Sequence, residues 1–272
     1  MKNLSSPVFR THKEMDKVYK TLTKRDLAGK PYILEYERGA QELIFFGSIH
    51  SGDPEHGQTV ILDGKWHDFI NSDNPKKHVF SEGNVRPVDG KTKEQAIRSH
   101  AESGQICWLA QEAGLPITSP EPERGEEISH LYERGLSYGQ IITYYFARQM
   151  LQWINYDHQN EPDWRKYAGK VKLYQTVHGW GGLEINIDSI LSVYKDQTGE
   201  SFSIENKDAL YNLSDPSQNP ASAESSKFRD QKLYESIAAK WGGGYNIFVV
   251  YGSGHAIVLE PALRSLTGDV DG

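Results

Sequence analysis

Cysteine is almost absent from this sequence: Cys107 is the single one among 272 residues. A single thiol cannot form an intrachain disulfide, which favours a reducing, cytoplasmic compartment, and it excludes a zinc site built mainly from thiolates. Long apolar runs are also absent. The longest, Leu43–Phe46 and Ile247–Tyr251, contain four or five residues, against the roughly 18–20 that cross a bilayer. We therefore expect no membrane span, and the polar first twenty residues predict no secretory signal.

Basic residues are in deficit, with 30 Lys and Arg against 37 Asp and Glu and a net charge of −7. Proteins that bind nucleic acid normally carry a basic stripe or domain, so we expect no nucleic-acid partner. Apolar residues make up only 37% of the chain, below the usual 45–50%. The six Trp and fifteen Tyr add large apolar area, and a globular protein with an aromatic-rich core is therefore expected.

Apolar runs bounded by glycine predict strands, and apolar residues spaced three and four positions apart predict helices. The predicted strands are 32–37 and 42–46 in a hairpin, then 78–80, 116–119 and 246–251. The predicted helices are 93–113, a helical stretch over 125–156, then 188–194, 223–241 and a short last helix near 261–266. The segment 214–226 is predicted to be rich in turns. Strands that alternate with helices indicate an α/β fold.

Two of these strands are followed by the same pattern, a glycine and then a histidine three residues later. The first is Gly47-Ser-Ile-His50 and the second is Gly252-Ser-Gly-His255. Ligands of α/β proteins bind at the carboxyl ends of the strands, where histidine acts as a general base or a metal ligand. The two motifs therefore predict that His50 and His255 belong to one site.

Carboxylates follow two of the three other predicted strands. Glu82 comes just after the short strand His78-Val-Phe-Ser, where it would face the same edge and bind a metal or activate water. Glu121 and Glu123 follow the next strand in a stretch stiffened by prolines.

Arg229 lies four and eight residues before the apolar Leu233 and Ile237 of a predicted helix. This spacing places its guanidinium on the buried face, where a charge needs a partner. The candidates are an anionic substrate group, a developing oxyanion or Glu82, and a structural salt bridge is the alternative.

The ordered set of motifs resembles the TraB/TIKI and erythromycin-esterase/ChaN-like superfamily. Gly47-Ser-Ile-His50 after a hairpin is similar to its opening G-x-x-H motif. The Glu82 element, the Arg229-Asp230 helix and the closing Gly252-Ser-Gly-His255 follow in the same order. The resemblance spans residues 32–266, although the cysteine common after the carboxylate in TraB-like chains is missing here.

The resemblance implies an α/β fold with a mixed central β-sheet flanked by helices, in which two β-α halves bring both histidines to one pocket. Members of the superfamily include proteases that need Mn or Co, hydrolases of macrolide esters, a haem-binding lipoprotein and a pheromone-shutdown protein. The expected organisation is a polar segment at 1–31, a single domain at 32–266 with a helical insertion at about 125–226, and a tail at 267–272.

The leading interpretation is a cytoplasmic hydrolase of an ester or amide bond in a small-molecule or peptide substrate. His50 would be the base or a metal ligand, and His255 a second ligand or an acid. Glu82 would activate water, and Arg229 would stabilise the oxyanion or orient Glu82. His50, Glu82 and His255 are the predicted metal ligands, a set that suits Mn, Co or Zn.

Substrate-binding roles are predicted for four further residues, Ser48, Ser253, Glu121 and Glu123.

Two alternatives from other functional classes stay open. One is a non-catalytic protein that binds haem, a peptide or another small ligand in the same pocket. The other is a partner-binding subunit that uses residues 157–226.

Overall fold

The computed structural model describes residues 7–24, 29–157, 161–169 and 186–269. The chain divides into two compact units, of which the first comprises 1–121 and 230–272 and the second comprises 122–229. The second unit is therefore inserted into the sequence of the first. The short apolar piece at 171–177 and the glycines between 179 and 182 lie outside the described residues.

The fold is α/β, as predicted, with a five-stranded mixed sheet flanked by helices. The strands are β1 Tyr32–Arg38, β2 Gln41–Ser48, β3 Lys77–Ser81, β4 Ile117–Thr118 and β5 Asn246–Gly252. Their order in the sheet is β1-β2-β5-β3-β4. β1 and β2 form the predicted antiparallel hairpin, and the other three neighbouring pairs are parallel.

The described helices are α1 His12–Lys24, α2 Gly57–Asn71, α3 Lys93–Glu112, α4 Arg124–Glu133, α5 Tyr138–Gln152, α6 Trp164–Ala168, α7 Ile187–Thr198, α8 Lys207–Ser214, α9 Pro220–Gly242 and α10 Ser253–Thr267. A π-helical turn, Trp153–Asp157, follows α5. Among the residues that the structure describes, we find no helix with the length and apolar character that a membrane crossing requires.

Both faces of the sheet are buried, which explains why β2 and β5 are apolar at successive positions rather than at alternate ones. Leu43 and Phe45 of β2 pack on one side in a cluster with Leu233 and Leu259, which come from α9 and α10. The residues between and after them, Ile44 and Phe46, pack on the other side in a cluster with side chains of α2 and α3. Each such fully buried side chain contributes about 1.5–3 kcal/mol.

The second unit is built around α5. Ile142, Phe146 and Met150 are buried in one cluster with Tyr194 of α7 and Leu210 of α8. These three positions lie within the stretch that was predicted to be helical, 125–156.

Some elements differ from the predictions. α1 forms within the segment predicted only as polar, α2 was not predicted, and α9 begins at Pro220, inside the stretch predicted to be rich in turns. α10 begins at Ser253 and not near Pro261, so that the proline lies inside the helix.

Proline is tolerated there because another residue satisfies the carbonyl that it leaves without a helical partner. Pro261 has no N–H to donate to the carbonyl of Ile257, four residues earlier. The Arg10 guanidinium donates to that oxygen at 2.8 Å.

Candidate functional site

The register of the sheet brings the ends of three strands together at one edge. Ser48 of β2 pairs with Gly252 of β5, and Ser81 of β3 pairs with Val250. The backbone N–H of Glu82 continues this ladder by donating to the Val250 carbonyl at 3.0 Å. Because these strands are parallel, the residues that follow them emerge at the same edge.

His255 lies in the first turn of α10 between two carboxylates. Its Nδ1 is 2.6 Å from Oδ1 of Asp230, a residue of α9 that is 2% exposed. Its Nε2 is 3.7 Å from Oε1 of Glu82. Burial disfavours the charged imidazole, but the charge and hydrogen bond of Asp230, followed by the nearby carboxylate of Glu82, outweigh it and raise the pKa of His255 to about 10. His255 is therefore an imidazolium at neutral pH.

Glu82 is held at the junction of β5 and α10. Its Oε2 accepts a hydrogen bond from the backbone N–H of Gly252 at 2.7 Å, at the end of the helix where the macrodipole favours negative charge. A Cβ on Gly252 would lie 2.8 Å from Nε2 of His50 and 3.4 Å from Oε2 of Glu82. Glycine at this position therefore allows His50 and Glu82 to approach the same stretch of backbone.

His50 forms a second histidine–carboxylate pair with Glu102 of α3. Nδ1 of His50 is 2.6 Å from Oε1 of Glu102, and Ser48 donates to the same oxygen at 3.0 Å. Glu102 is 4% exposed, whereas the His50 side chain is 54% exposed. The hydrogen bond to Glu102 raises the pKa of His50 against the opposing effect of burial, and the charges of Glu102 and Glu82 add to the increase.

Backbone strain is concentrated at this pair. Within the described residues, His50 and Ala101 are the only residues other than glycine that have a positive φ, at 54° and 52°. Ala101, which precedes Glu102, has ψ −142° and interrupts α3. Such conformations cost on the order of 1–3 kcal/mol each and cluster at functional sites. The kink starts a new helical segment at Glu102, whose carboxylate bonds His50.

The two serines predicted to bind substrate are both at the strand ends. Ser48 supports Glu102, as described, and Ser253 is the first residue of α10. The Ser253 hydroxyl is 2.6 Å from the hydroxyl of Tyr19, which belongs to α1. Tyr19 carried no signal in the sequence.

The other predicted residues fall at the boundary between the units or beyond it. Glu121 is the last residue before the second unit, which contains Glu123 and Arg229. Glu123 is the N-cap residue of α4, and the charge of Arg229 acts on Arg148 within the second unit. The roles predicted for Glu121, Glu123 and Arg229 stay predictions.

Sequence reasoning missed Glu102 and did not give Asp230 a role of its own. Both carried the signal that singled out Arg229, a charge on an apolar helix face. Glu102 precedes Ile106 by four residues, and Asp230 precedes Leu233 by three. In the structure Asp230 is fully buried, whereas Arg229 is half-buried.

The donor types at the site suit a divalent metal ion. Each histidine bonds a buried carboxylate through Nδ1, as metal-ligating histidines commonly do. Within residues 7–24, 29–157, 161–169 and 186–269, however, no three His, Cys, Asp or Glu side chains are grouped so that they could hold a metal ion. A metal role for His50, Glu82 and His255 stays a prediction.

Comparison with known proteins identifies no relative. No protein family, no curated protein and no solved structure matches this chain. The resemblance to the TraB/TIKI and erythromycin-esterase/ChaN-like superfamily therefore depends on the motifs alone and stays a prediction.

Proposed function

We propose that the protein hydrolyses an ester or amide bond of a small-molecule or peptide substrate. One observation carries the proposal: two histidine–carboxylate pairs, His50–Glu102 and His255–Asp230, lie at the carboxyl edge of the sheet with Glu82 beside His255. The two histidines have different environments, one half-exposed and one buried as an imidazolium, and this difference favours different roles for them.

His50 is the general base in this proposal. Its Nδ1 is engaged by Glu102, which fixes the ring and leaves Nε2 to take a proton from water. Glu102 stabilises the imidazolium that results. The water oxygen adds to the carbonyl carbon, and His50 then returns the proton to the leaving oxygen or nitrogen as the bond to carbon breaks.

His255 supplies positive charge in this mechanism. With a pKa of about 10, it holds its proton at neutral pH and stabilises the oxyanion that forms on the carbonyl oxygen. Glu82 keeps the ring of His255 in place and orients the attacking water.

A divalent metal ion would polarise the carbonyl and lower the pKa of water. Mn, Co and Zn are the candidates that the donor set favours.

We further propose that the protein works in the cytoplasm, because its single thiol, Cys107, is free and buried.

The test is a panel of p-nitrophenyl esters and short peptides, offered to chelator-treated protein with and without added Mn²⁺, Co²⁺ or Zn²⁺. Hydrolysis is expected to fall by about 10²–10⁴-fold in His50→Gln. His67→Gln is the matched control, since His67 is exposed on α2, and it should retain activity. Folded His50→Gln protein with full activity would refute the proposal. Absence of hydrolysis with every substrate, together with a Soret band on haem addition that is lost in His255→Gln, would support a ligand-binding protein instead.

A further inference from the structure

Gln58 is a buried polar residue beside the site that neither the motifs nor the proposed chemistry use. It lies in the first turn of α2 and is 2% exposed. Its Oε1 accepts a hydrogen bond from the backbone N–H of Ile49 at 3.1 Å. Its Nε2 is also buried and has no hydrogen-bond partner in the described part of the chain. Within the described residues, the hydrogen bond to Ile49 is therefore the one that this buried side-chain amide makes.

Ile49 is the position at which the chain leaves the sheet. β2 ends at Ser48, which pairs with Gly252, and the described ladder between β2 and β5 stops there. A backbone N–H just beyond a ladder needs another acceptor when water is excluded, since an unmet donor costs about 1–3 kcal/mol. Gln58 supplies that acceptor one residue before His50.

His50 itself has the left-handed backbone conformation, with φ 54°. Non-glycine residues keep such a conformation only where their surroundings enforce it. Gln58 fixes the peptide N–H that precedes His50, and Glu102 fixes the ring through Nδ1. The backbone one residue before His50 and the side chain of His50 are therefore held from two different helices.

These two helices are tied to each other. Nε2 of Gln105, on α3, donates to the carbonyl of Thr59 and to Oδ1 of Asp63, both on α2 and both at 3.0 Å. The two helices that hold His50 are therefore connected to each other by hydrogen bonds.

We propose that Gln58 is a positioning residue that keeps His50 in the geometry in which it acts. Its effect on hydrolysis rests on the function proposed above, whereas its effect on the geometry of His50 does not. Gln58 acts through the Ser48–Ile49 peptide, whose N–H it holds one residue before His50.

If Gln58 served only to stabilise α2, any other change that weakens the start of this helix should have the same effect as replacing Gln58. The backbone N–H of Gln58 donates to Nδ1 of His56, the N-cap residue of α2. His56→Ala removes this cap and leaves the contact between Gln58 and Ile49 in place. It is therefore the matched control for damage to the helix alone.

The experiment compares Gln58→Met, Gln58→Glu and His56→Ala by amide hydrogen exchange at Ile49, by the downfield proton signal of the His50–Glu102 hydrogen bond, and by kcat and KM. In Gln58→Met we expect exchange at Ile49 to rise about tenfold or more, the signal of one lost hydrogen bond. The downfield signal should weaken, and kcat should fall about tenfold with KM nearly unchanged.

Gln58→Glu retains the acceptor oxygen and should restore slow exchange at Ile49, which also tests the inference if Gln58→Met does not fold. His56→Ala should leave all these readouts unchanged. Slow exchange and an intact downfield signal in Gln58→Met would overturn the inference, as would equal changes in His56→Ala. The two spectroscopic readouts need no substrate, so they stand even if the protein proves not to be a hydrolase.

Discussion

The pair formed by His255 and Asp230 makes a strong prediction about stability and pH. Asp230→Asn keeps an oxygen that can accept from Nδ1 of His255 but removes the negative charge that raises the imidazole pKa. In the wild type this pKa rises from 6.5 to about 10. Because the folded pKa lies above the unfolded one, the stabilisation is fully present below about pH 6.5 and is lost as the pH rises toward 10.

The magnitude follows from the size of the shift. Each pKa unit corresponds to 1.36 kcal/mol, so the whole change is on the order of 5 kcal/mol, of which roughly 3–4 kcal/mol disappears between about pH 6.5 and about pH 9.5. The protonation of His50 changes stability in the same direction. That contribution is present in wild type and variant alike, so it cancels when the two are compared.

Urea unfolding, followed by far-UV circular dichroism across this pH range, measures the effect. The wild type should lose about 3 kcal/mol more of its free energy of unfolding than Asp230→Asn does. The control is Glu35→Gln, which breaks the half-exposed pair of Glu35 with Lys65 at 2.7 Å and should keep the wild-type pH dependence. If Asp230→Asn and the wild type lose the same free energy, the assignment of a strongly raised pKa to His255 is wrong.

Three further predictions concern the pair formed by His50 and Glu102 and its neighbours. In Glu102→Gln the pKa of His50 should fall, so that the midpoint at which hydrolysis rises with pH moves down from its wild-type position above 6.5, as a pH–rate profile would show. Ala101→Gly should raise the free energy of unfolding by about 1 kcal/mol, because glycine adopts φ 52° without strain; a loss of stability in urea would contradict this. Gly252→Ala places a Cβ 2.8 Å from Nε2 of His50 and should reduce kcat by about 100-fold. Gly64→Ala, where a Cβ meets nothing within 4 Å, should leave kcat unchanged, and equal rates in both variants would exclude a role for the close approach.

The strands, and the position of both histidines at one edge of the sheet, could be predicted from sequence because they depend on local patterns. The apolar runs of β2 and β5 are too continuous for a strand with one face in water, so both strands had to be central. Parallel central strands end at one edge, and the glycine–histidine motifs follow those ends. This reasoning needs no knowledge of side-chain contacts.

The carboxylate partners of the histidines could not be assigned in the same way. Successive residues of a helix point about 100° apart, so choosing between Arg229 and Asp230 requires the position of α9 on the sheet. Glu102 faces His50 after a kink at Ala101, and alanine is a residue type that gives no sign of a positive φ. The length of α10 was hidden for a related reason, since Pro261 is typical of a helix start and the Arg10 contact with the Ile257 carbonyl is remote in sequence.

The order of the strands has a consequence for synthesis of the protein in the cell. β5 lies between β2 and β3 in the sheet, yet it follows both of them in the chain by more than 160 residues. Until β5 leaves the ribosome, the nascent chain holds two apolar strands whose inner edges have no partner. Unpaired edges of this kind recruit other chains and chaperones. Both the sheet and the candidate site are therefore completed late in translation, and a chain that stalls before β5 is an aggregation hazard that also lacks His255.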